Sequence, residues 1–378
     1  MDAFIIDFAR SPFHFARKGA LAGIRPDDLA GQVARQFLAR QKFDLRELED
    51  LILGCAYPEA EQGDNLARIV SFLAGLPEQV GGMTVNRFCG SSMSAVHIAA
   101  GSLATGAGEA FLCAGVESMS RVPQGGLSPS HNPTLEHDFP QAYTPMGITA
   151  EHVAKRWGVT RADQELFATE SQRKAAAAVE AHAFDAEITP ITLADGTVVA
   201  ADGCLRPQTT PEALAKLKLA FAEDGTVTAG TASPLTDGTA MVIVANEAFI
   251  RRHQLQPYAR IRSTAVAGVA PEVMGIGPVP ASRKALARAG LRASDIDLTE
   301  INEAFASQAL ACVRELGLDP QKVNLDGGAI ALGHPLGATG ARITGKAASL
   351  LRRTGGRYAL ATQCIGGGQG IATVLERV

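Results

Sequence analysis

Short runs of continuous apolar residues alternate along the chain with longer stretches in which apolar positions recur every three or four residues. The runs at 4–8, 51–56 and 110–114 fit strands buried on both faces. The stretches 27–40, 65–74 and 91–105 carry helical spacing. This alternation predicts a layered α/β fold. The second half repeats it: apolar runs at 241–245 and 259–267, helices at 280–289 and 303–316, and two last runs, 358–363 and 371–375, joined as a hairpin across a Gly-rich turn. Between Ser118 and about Thr231 the alternation stops. Pro123, Pro129, Pro133, Pro140 and Pro145 interrupt it, yet helical pieces at 150–157 and 163–183 keep apolar faces, which predicts an inserted folded region.

The two halves share an order of parts. Gly75-Leu76-Pro77-Glu78-Gln79-Val80 precedes a Cys89 motif and a helix of small residues, and an apolar strand follows. Gly317-Leu318-Asp319-Pro320-Gln321-Lys322-Val323 precedes a His334 motif, a second small-residue helix at 338–351, and the strand that delivers Cys364. An internal duplication is expected from this correspondence.

The chain has 378 residues, 46% of them hydrophobic and 20% charged, and a net charge of −4. The length calls for two or three domains, and the charge gives no general attraction to nucleic acid. The start, Met1-Asp2-Ala3-Phe4-Ile5-Ile6-Asp7, reads as a strand and not as a signal peptide, and no apolar run is long enough to span a bilayer. The six cysteines form no CxxC pair, so a zinc site is not expected, and a reducing, cytosolic compartment is. Cys55 and Cys113 lie in apolar runs and read as small buried hydrophobes; Cys204 and Cys312 receive no role.

Four residues stand apart. Cys89, in Val85-Asn86-Arg87-Phe88-Cys89-Gly90-Ser91-Ser92, sits at a helix start, where backbone N–H groups and the helix dipole favour a thiolate; a buried Cys in a capping turn is the alternative. His334 lies among glycines in Gly327-Gly328-Ala329-Ile330-Ala331-Leu332-Gly333-His334-Pro335, which implies close backbone approach and a fixed imidazole. Cys364 ends a strand before Gly366-Gly367-Gly368, whose N–H groups can face an oxyanion; a plain hairpin turn is the alternative. A second thiol there suits acid–base work. Asn302, before Glu303 and an apolar-periodic helix, reads by itself as a helix cap. The C-terminal glycines lead into a strand, so they do not form a dinucleotide-binding turn.

Together these motifs resemble the thiolase family, and among its branches the degradative 3-ketoacyl-CoA thiolases. The likeness runs from Ile6-Asp7-Phe8-Ala9-Arg10-Ser11-Pro12 to Cys364-Ile365-Gly366-Gly367-Gly368-Gln369-Gly370, through Arg206-Pro207-Gln208-Thr209-Thr210, Gly225-Thr226-Val227-Thr228-Ala229-Gly230 and Gly275-Ile276-Gly277-Pro278. It implies a duplicated, layered α-β-α-β-α fold with an inserted loop domain. The domain boundaries it implies are 1–117 plus 235–257 for the half carrying the nucleophile, 118–234 for a loop domain binding coenzyme A, and 258–378 for the half carrying His334 and Cys364. It implies Cys89 as the acylated nucleophile, His334 as its activator and, with a water held by Asn302, an oxyanion donor. Cys364 becomes the general acid–base, and the N–H groups of Cys89 and Gly366 a second oxyanion hole. Arg206, Ser233, Gln172, Leu217 and Phe221 become coenzyme A contacts. Coenzyme A is then a co-substrate, with no resident cofactor and no metal; a homodimer or homotetramer and a hydratase/dehydrogenase partner are further expectations. Three positions depart from the pattern: Pro145 stands where the short-chain biosynthetic enzymes usually carry a His, Pro234 follows Ser233 where the family often has Gly, and Lys216-Leu217-Lys218-Leu219-Ala220-Phe221 replaces the usual Lys-Leu-Arg-Pro-Ala-Phe run. An acetyl-CoA C-acetyltransferase is the alternative within the same chemistry. A non-catalytic acyl-CoA or sterol carrier is the alternative outside it, and it has no use for two thiols and an imidazole.

Overall fold

The computed structural model describes residues 2–378. Nine long strands carry its architecture: β1 (Ala3–Arg10), β2 (Asp50–Gly54), β3 (Gly81–Val85), β4 (Ala110–Ser118), β5 (Thr236–Asn246), β6 (Ala259–Gly268), β7 (Leu298–Ile301), β8 (Tyr358–Ile365) and β9 (Gln369–Glu376). They hydrogen-bond in the order β7-β8-β9-β6-β1-β5-β4-β2-β3. The order splits into two matching halves. β3 and β4 both lie parallel to β2, and β5 runs antiparallel between β4 and β1. In the second half Val323 and β8 both lie parallel to β7, and β9 runs antiparallel between β8 and β6. The halves meet where Ala3–Ile5 of β1 pair with Ala259–Ile261 of β6. The duplication expected from sequence is therefore a repeat of topology. Gly75 and Gly317 are equivalent parts of it: each ends a helix in the left-handed conformation (φ 77° and 64°) that glycine adopts most cheaply.

Helices fill three layers. α1 (Pro26–Ala39) and α2 (Leu66–Ala74) cover the outer face of the first sheet. α3 (Ser91–Ala104) and α8 (Thr339–Thr354) lie side by side between the two sheets. α6 (Pro278–Ala289) covers the outer face of the second sheet, and α7 (Ala306–Leu316) packs beside α4 (Met146–Arg156) and α5 (Arg161–Glu180) of the region inserted between β4 and β5. This burial of both sheet faces explains the unbroken apolar runs. In β5, Met241, Ile243 and Ala245 face α1 and α2, whereas Ala240, Val242 and Val244 face the central helices. β1 changes phase midway. Ile5 and Phe8 point the same way because a bulge between Ile5 and Asp7 inserts one residue.

The central helices approach so closely that side chains are excluded between them. A Cβ on Gly340 of α8 would collide with the backbone nitrogen of Met93 in α3. Gly340→Ala gains helix propensity worth about 1 kcal/mol. The clash falls on backbone, where overpacking costs about 1–3 kcal/mol or more, and it wins. We expect lower stability in urea and lower activity together, because α3 starts two residues after Cys89.

Element limits differ from the sequence reading in two instructive places. The helix expected at 303–316 begins at Ala306. β7 was not expected as a strand at all, since Thr299 and Glu300 break its apolar run. Glu300 is nevertheless 1% exposed, because it pairs with the equally buried Arg342 at 3.0 Å.

Candidate active site

The turn after β3 places Cys89. Arg87 N–H donates to Ser91 Oγ at 2.8 Å, Phe88 N–H donates to Asn86 Oδ1 at 2.8 Å, and α3 begins at Ser91. From the other half, the amide of Gln363 on β8 donates to the carbonyl of Cys89. The next residue on β8 is Cys364, opposite Gly370 in the terminal hairpin. The hairpin turns at Gly366–Gly368, with Gly367 and Gly368 left-handed (φ 76° and 84°), and this sends the N–H of Gly366 to the sulfur of Cys89. The N–H of Cys89 itself lies on the same sulfur. Both backbone groups oppose the effect of burial on that thiol.

His334 follows the short helix Ala329–Leu332 and precedes α8. Its backbone N–H donates to Thr236 Oγ1 at 3.0 Å. Its Nδ1 lies 2.6 Å from Thr339 Oγ1, and that hydroxyl donates to Pro335 O at 3.0 Å. The hydroxyl proton being spent, Nδ1 carries the hydrogen and Nε2 presents a lone pair to the site. Asn302 Nδ2 lies 3.3 Å from that Nε2. Asn302 does not cap α7, whose first residue is four positions on. Its own backbone is fixed to Thr362 O (3.0 Å) and to Gln308 Nε2 (3.3 Å), and its buried Oδ1 has no partner in the protein. The capping reading is corrected accordingly: the strand β7, continuing as a hydrogen-bonded extension past Ile301, carries the amide to the imidazole.

All four side chains are nearly closed off: Asn302 0%, Cys364 1%, Cys89 3% and His334 4% exposed. Burial sets their charge. It pushes the Cys89 thiol up to about 12 and the Cys364 thiol well above its usual value, with the proximity of the two sulfurs adding to the latter. Burial, then the Arg342 cation, lowers His334 to about 3. The resting site holds two neutral thiols and a neutral imidazole. Withdrawal from water opposes the thiolate expected from the helix start.

Several supports escaped the sequence reading. Glu117, at the end of β4, accepts from the N–H groups of Ala56 (2.8 Å), Tyr57 (3.2 Å) and Gly337 (2.8 Å) and from Gln62 (2.9 Å). A Glu inside an apolar strand was the available signal. Glu303 accepts from Ser171 (2.7 Å), Asn324 (2.7 Å) and Ile330 N–H (3.1 Å), which pins the Gly-rich segment before His334. Thr236, Thr339 and Gln363 gave no local signal.

Of the residues implied for coenzyme A, Ser233 and Phe221 adjoin the cluster that holds Cys364, through Ala304 and Phe305. Arg206 is half-buried and forms no ion pair among the described residues; its guanidinium stands 5.9 Å from the Phe15 ring. Gln172 is 1% exposed, and its amide is spent on Arg206 N–H (2.7 Å) and Ile330 O (3.1 Å), so it braces the Arg206 loop and offers nothing to a surface ligand. Ser233 Oγ donates to Ala304 O at 3.1 Å. Leu217 and Phe221 are exposed along a groove of about 560 Å³, and the Phe221 ring packs edge-on against Phe305 at 5.8 Å. A concavity of about 860 Å³ along α1 and residues 192–195 touches none of these residues.

Comparison with known proteins agrees with this arrangement over the whole chain. Residues 3–248 match the thiolase N-terminal domain and residues 255–377 the thiolase C-terminal domain. The chain is 45% identical to the 3-ketoacyl-CoA thiolase of Bacillus subtilis (strain 168), covering 99% of each. It is 47% identical to the 3-ketoacyl-CoA thiolase of Citrobacter koseri, covering 99% of this chain and 98% of that one. The crystal structure of human mitochondrial 3-ketoacyl-CoA thiolase superposes with a TM-score of 0.92 at 38% identity, over 100% of this chain and 99% of that one. A site assembled from two topologically equivalent halves, on a chain alike from end to end to these proteins, belongs to the thiolase family.

Proposed function

We propose that this protein is a 3-ketoacyl-CoA thiolase, an acyltransferase that cleaves 3-ketoacyl-CoA with coenzyme A to acetyl-CoA and a shortened acyl-CoA, as in fatty-acid β-oxidation. The observation that carries this reading is the meeting of the two halves at the nucleophile: Gln363, next to Cys364, donates to the Cys89 carbonyl, and Asn302 Nδ2 lies 3.3 Å from His334 Nε2. His334 and Cys364 supply the proton acceptors the same reaction needs.

The neutral starting state orders the steps. As the Cys89 sulfur attacks the 3-keto carbon, its proton passes to His334 Nε2, the nitrogen left bare by the Thr339 bond. The imidazolium so formed becomes a donor, and with Asn302 it stabilises the oxygen of the departing thioester enolate. The C2–C3 bond breaks, Cys364 gives its proton to C2, and acetyl-CoA leaves. The acyl-Cys89 oxygen rests on the N–H groups of Cys89 and Gly366, each key donor being worth about 3–4 kcal/mol. Coenzyme A then attacks that thioester, its thiol proton going to the Cys364 thiolate, and the released Cys89 sulfur takes back the proton held on His334. We assign nucleotide recognition to Arg206 and the pantetheine arm to Ser233, with Leu217 and Phe221 as apolar contacts in the 118–234 region. Acetyl-CoA C-acetyltransferase activity is the same path reversed.

Two further parts of the reading concern assembly. β3 is an edge strand, and Ile69, Phe72 and Met83 are exposed beside it (39%, 51% and 37%). An open strand edge next to apolar side chains suits a second copy of the chain, so we assign a homodimer through this face. No helix among the described residues is long and apolar enough to cross a membrane. We place the enzyme in the cytoplasm, where thiols stay reduced.

A thiolysis assay with 3-ketoacyl-CoAs of increasing length tests the activity. Absence of coenzyme A-dependent cleavage at every length would refute it. The charge state predicts a second result. Iodoacetamide should alkylate Cys89 at a rate that climbs through the alkaline range without levelling near neutrality. His334→Ala should slow that alkylation and cost activity by about 10²–10⁴-fold. Unchanged alkylation kinetics would reduce His334 to an oxyanion donor.

A further inference from the structure

Glu300 and Arg342 form a buried ion pair that is only half satisfied. Their side chains meet at 3.0 Å, and the residues are 1% and 2% exposed. Arg342 Nε and Nη2 and Glu300 Oε1 find no partner among the described residues. Lys346, one helical turn on from Arg342, gives its ammonium to Glu187 (2.8 Å) and Asp326 (2.6 Å). Burial lifts Glu300 to about 7 against the attraction of Arg342 and Lys346, with Asp326 and Glu187 adding to the rise. A pair of this kind does little for stability, since apolar side chains of like size commonly serve as well or better. Its place in the fold supplies another reason for it.

Leu298, Glu300 and Asn302 alternate along β7 and its extension, so they share one face. Leu298 on that face packs in one cluster with Ala347, Leu350 and Leu351 of α8, whereas Ile301 packs on the other side with Val273 and Val313. On α8, Thr339 and Arg342 are three positions apart and also share a face. Two cross-links therefore stand side by side between strand and helix. One is Glu300 to Arg342. The other is Asn302 Nδ2 to His334 Nε2 (3.3 Å), with His334 Nδ1 on Thr339 Oγ1 (2.6 Å). His334 has a further anchor in Thr236, at its backbone N–H. The Asn302 backbone is bonded to Thr362 and Gln308, neither of which lies on α8. The ion pair is the polar link from its strand to that helix.

We propose that Glu300 and Arg342 are positioning residues of the reaction: their link sets β7 against α8 so that the Asn302 amide meets His334 at the oxygen of the departing enolate. The inference rests on the thiolase reading, which gives that oxygen to Asn302 and His334. Its consequence is selective. Proton uptake from Cys89 needs only Nε2 of His334, and loss of Arg342 removes a cation that opposes it. Acyl transfer to Cys89 therefore survives without the pair. Enolate formation needs both donors in register, and it does not.

The test replaces the pair by apolar side chains in the full-length protein, combining Glu300→Leu with Arg342→Met. The urea midpoint should match or exceed that of the wild type. Exchange of deuterium into C2 of acetyl-CoA should fall by about 10²-fold, the scale set by a misplacement of about 1 Å. Acylation of Cys89 by a simple acyl-CoA, followed by mass spectrometry, should fall by a factor roughly tenfold smaller. In an Asn302→Ala background the same replacement should change C2 exchange by no more than about twofold, because the pair acts through that amide. Equal falls in the two rates, unaltered C2 exchange, or a loss that adds in full to that of Asn302→Ala would each overturn the inference. Should the apolar pair fail to fold, Arg342→Lys decides by the same two rates, since it keeps the charge and loses the guanidinium fork. A wild type that cleaves no 3-ketoacyl-CoA refutes the thiolase reading, and the positioning role with it. Wild-type cleavage together with any of the overturning results refutes the positioning role alone.

Discussion

Cys89→Ala is expected to abolish both thiolysis and condensation while the thermal unfolding midpoint stays near that of the wild type. The side chain is small and lies in an apolar cluster with Ala56, Met119 and Leu336, so its loss leaves only a one-atom gap in neutral surroundings. No other group can take its place. Cys364 is the nearest second thiol, but burial and the neighbouring sulfur both hold it protonated. Mass spectrometry after incubation with an acyl-CoA should show one acyl adduct on Cys89 in the wild type and none in the variant. An adduct on Cys364 would exchange the two roles.

Cys364→Ala should separate two halves of the reaction. The variant should still take an acyl group from a simple acyl-CoA, because that step breaks no carbon–carbon bond. Condensation should fall by about 10²–10⁴-fold, the usual contribution of a general acid–base group. Exchange of deuterium into C2 of acetyl-CoA reads the step directly and should fall in parallel. The environment of Cys364, with Ala150, Val227, Met274 and Phe305 around it, supports this division, since a neutral thiol in an apolar wall exchanges a proton with a carbanion without bringing charge to the site. Exchange at the wild-type rate would leave His334 as the sole base.

The legible parts of this chain were those where local pattern and tertiary demand agree. Residues 110–118 and 236–246 are buried on both faces, so their apolar runs state their role. Gly75 and Gly317 declare helix ends because few other residues take that backbone. β7 was illegible because the partner of Glu300 is Arg342, 42 positions away, and no window of sequence contains both. Asn302 has a sufficient local explanation as an Asn before an apolar-periodic helix; the resemblance paired it with His334, and the fold places its amide 3.3 Å from that imidazole. The charge state of Cys89 depends on two opposing effects. The helix start is visible in sequence, but the depth of burial that opposes it is a property of both sheets together.

The hydrogen bond from Gln363 to Cys89 spans 274 positions, and it joins the last strands of the chain to a turn in its first quarter. Asn302, His334 and Cys364 likewise come from the second repeat and the nucleophile from the first. Catalysis is therefore a gauge of docking. During refolding, secondary structure and most burial can return within each repeat before the distant segments meet, and contacts of such sequence separation form slowly. Enzyme activity should be the last signal recovered, lagging behind circular dichroism. A chain cut between Asn246 and Ala259 should give two inert polypeptides whose mixture regains turnover at a rate set by their concentration.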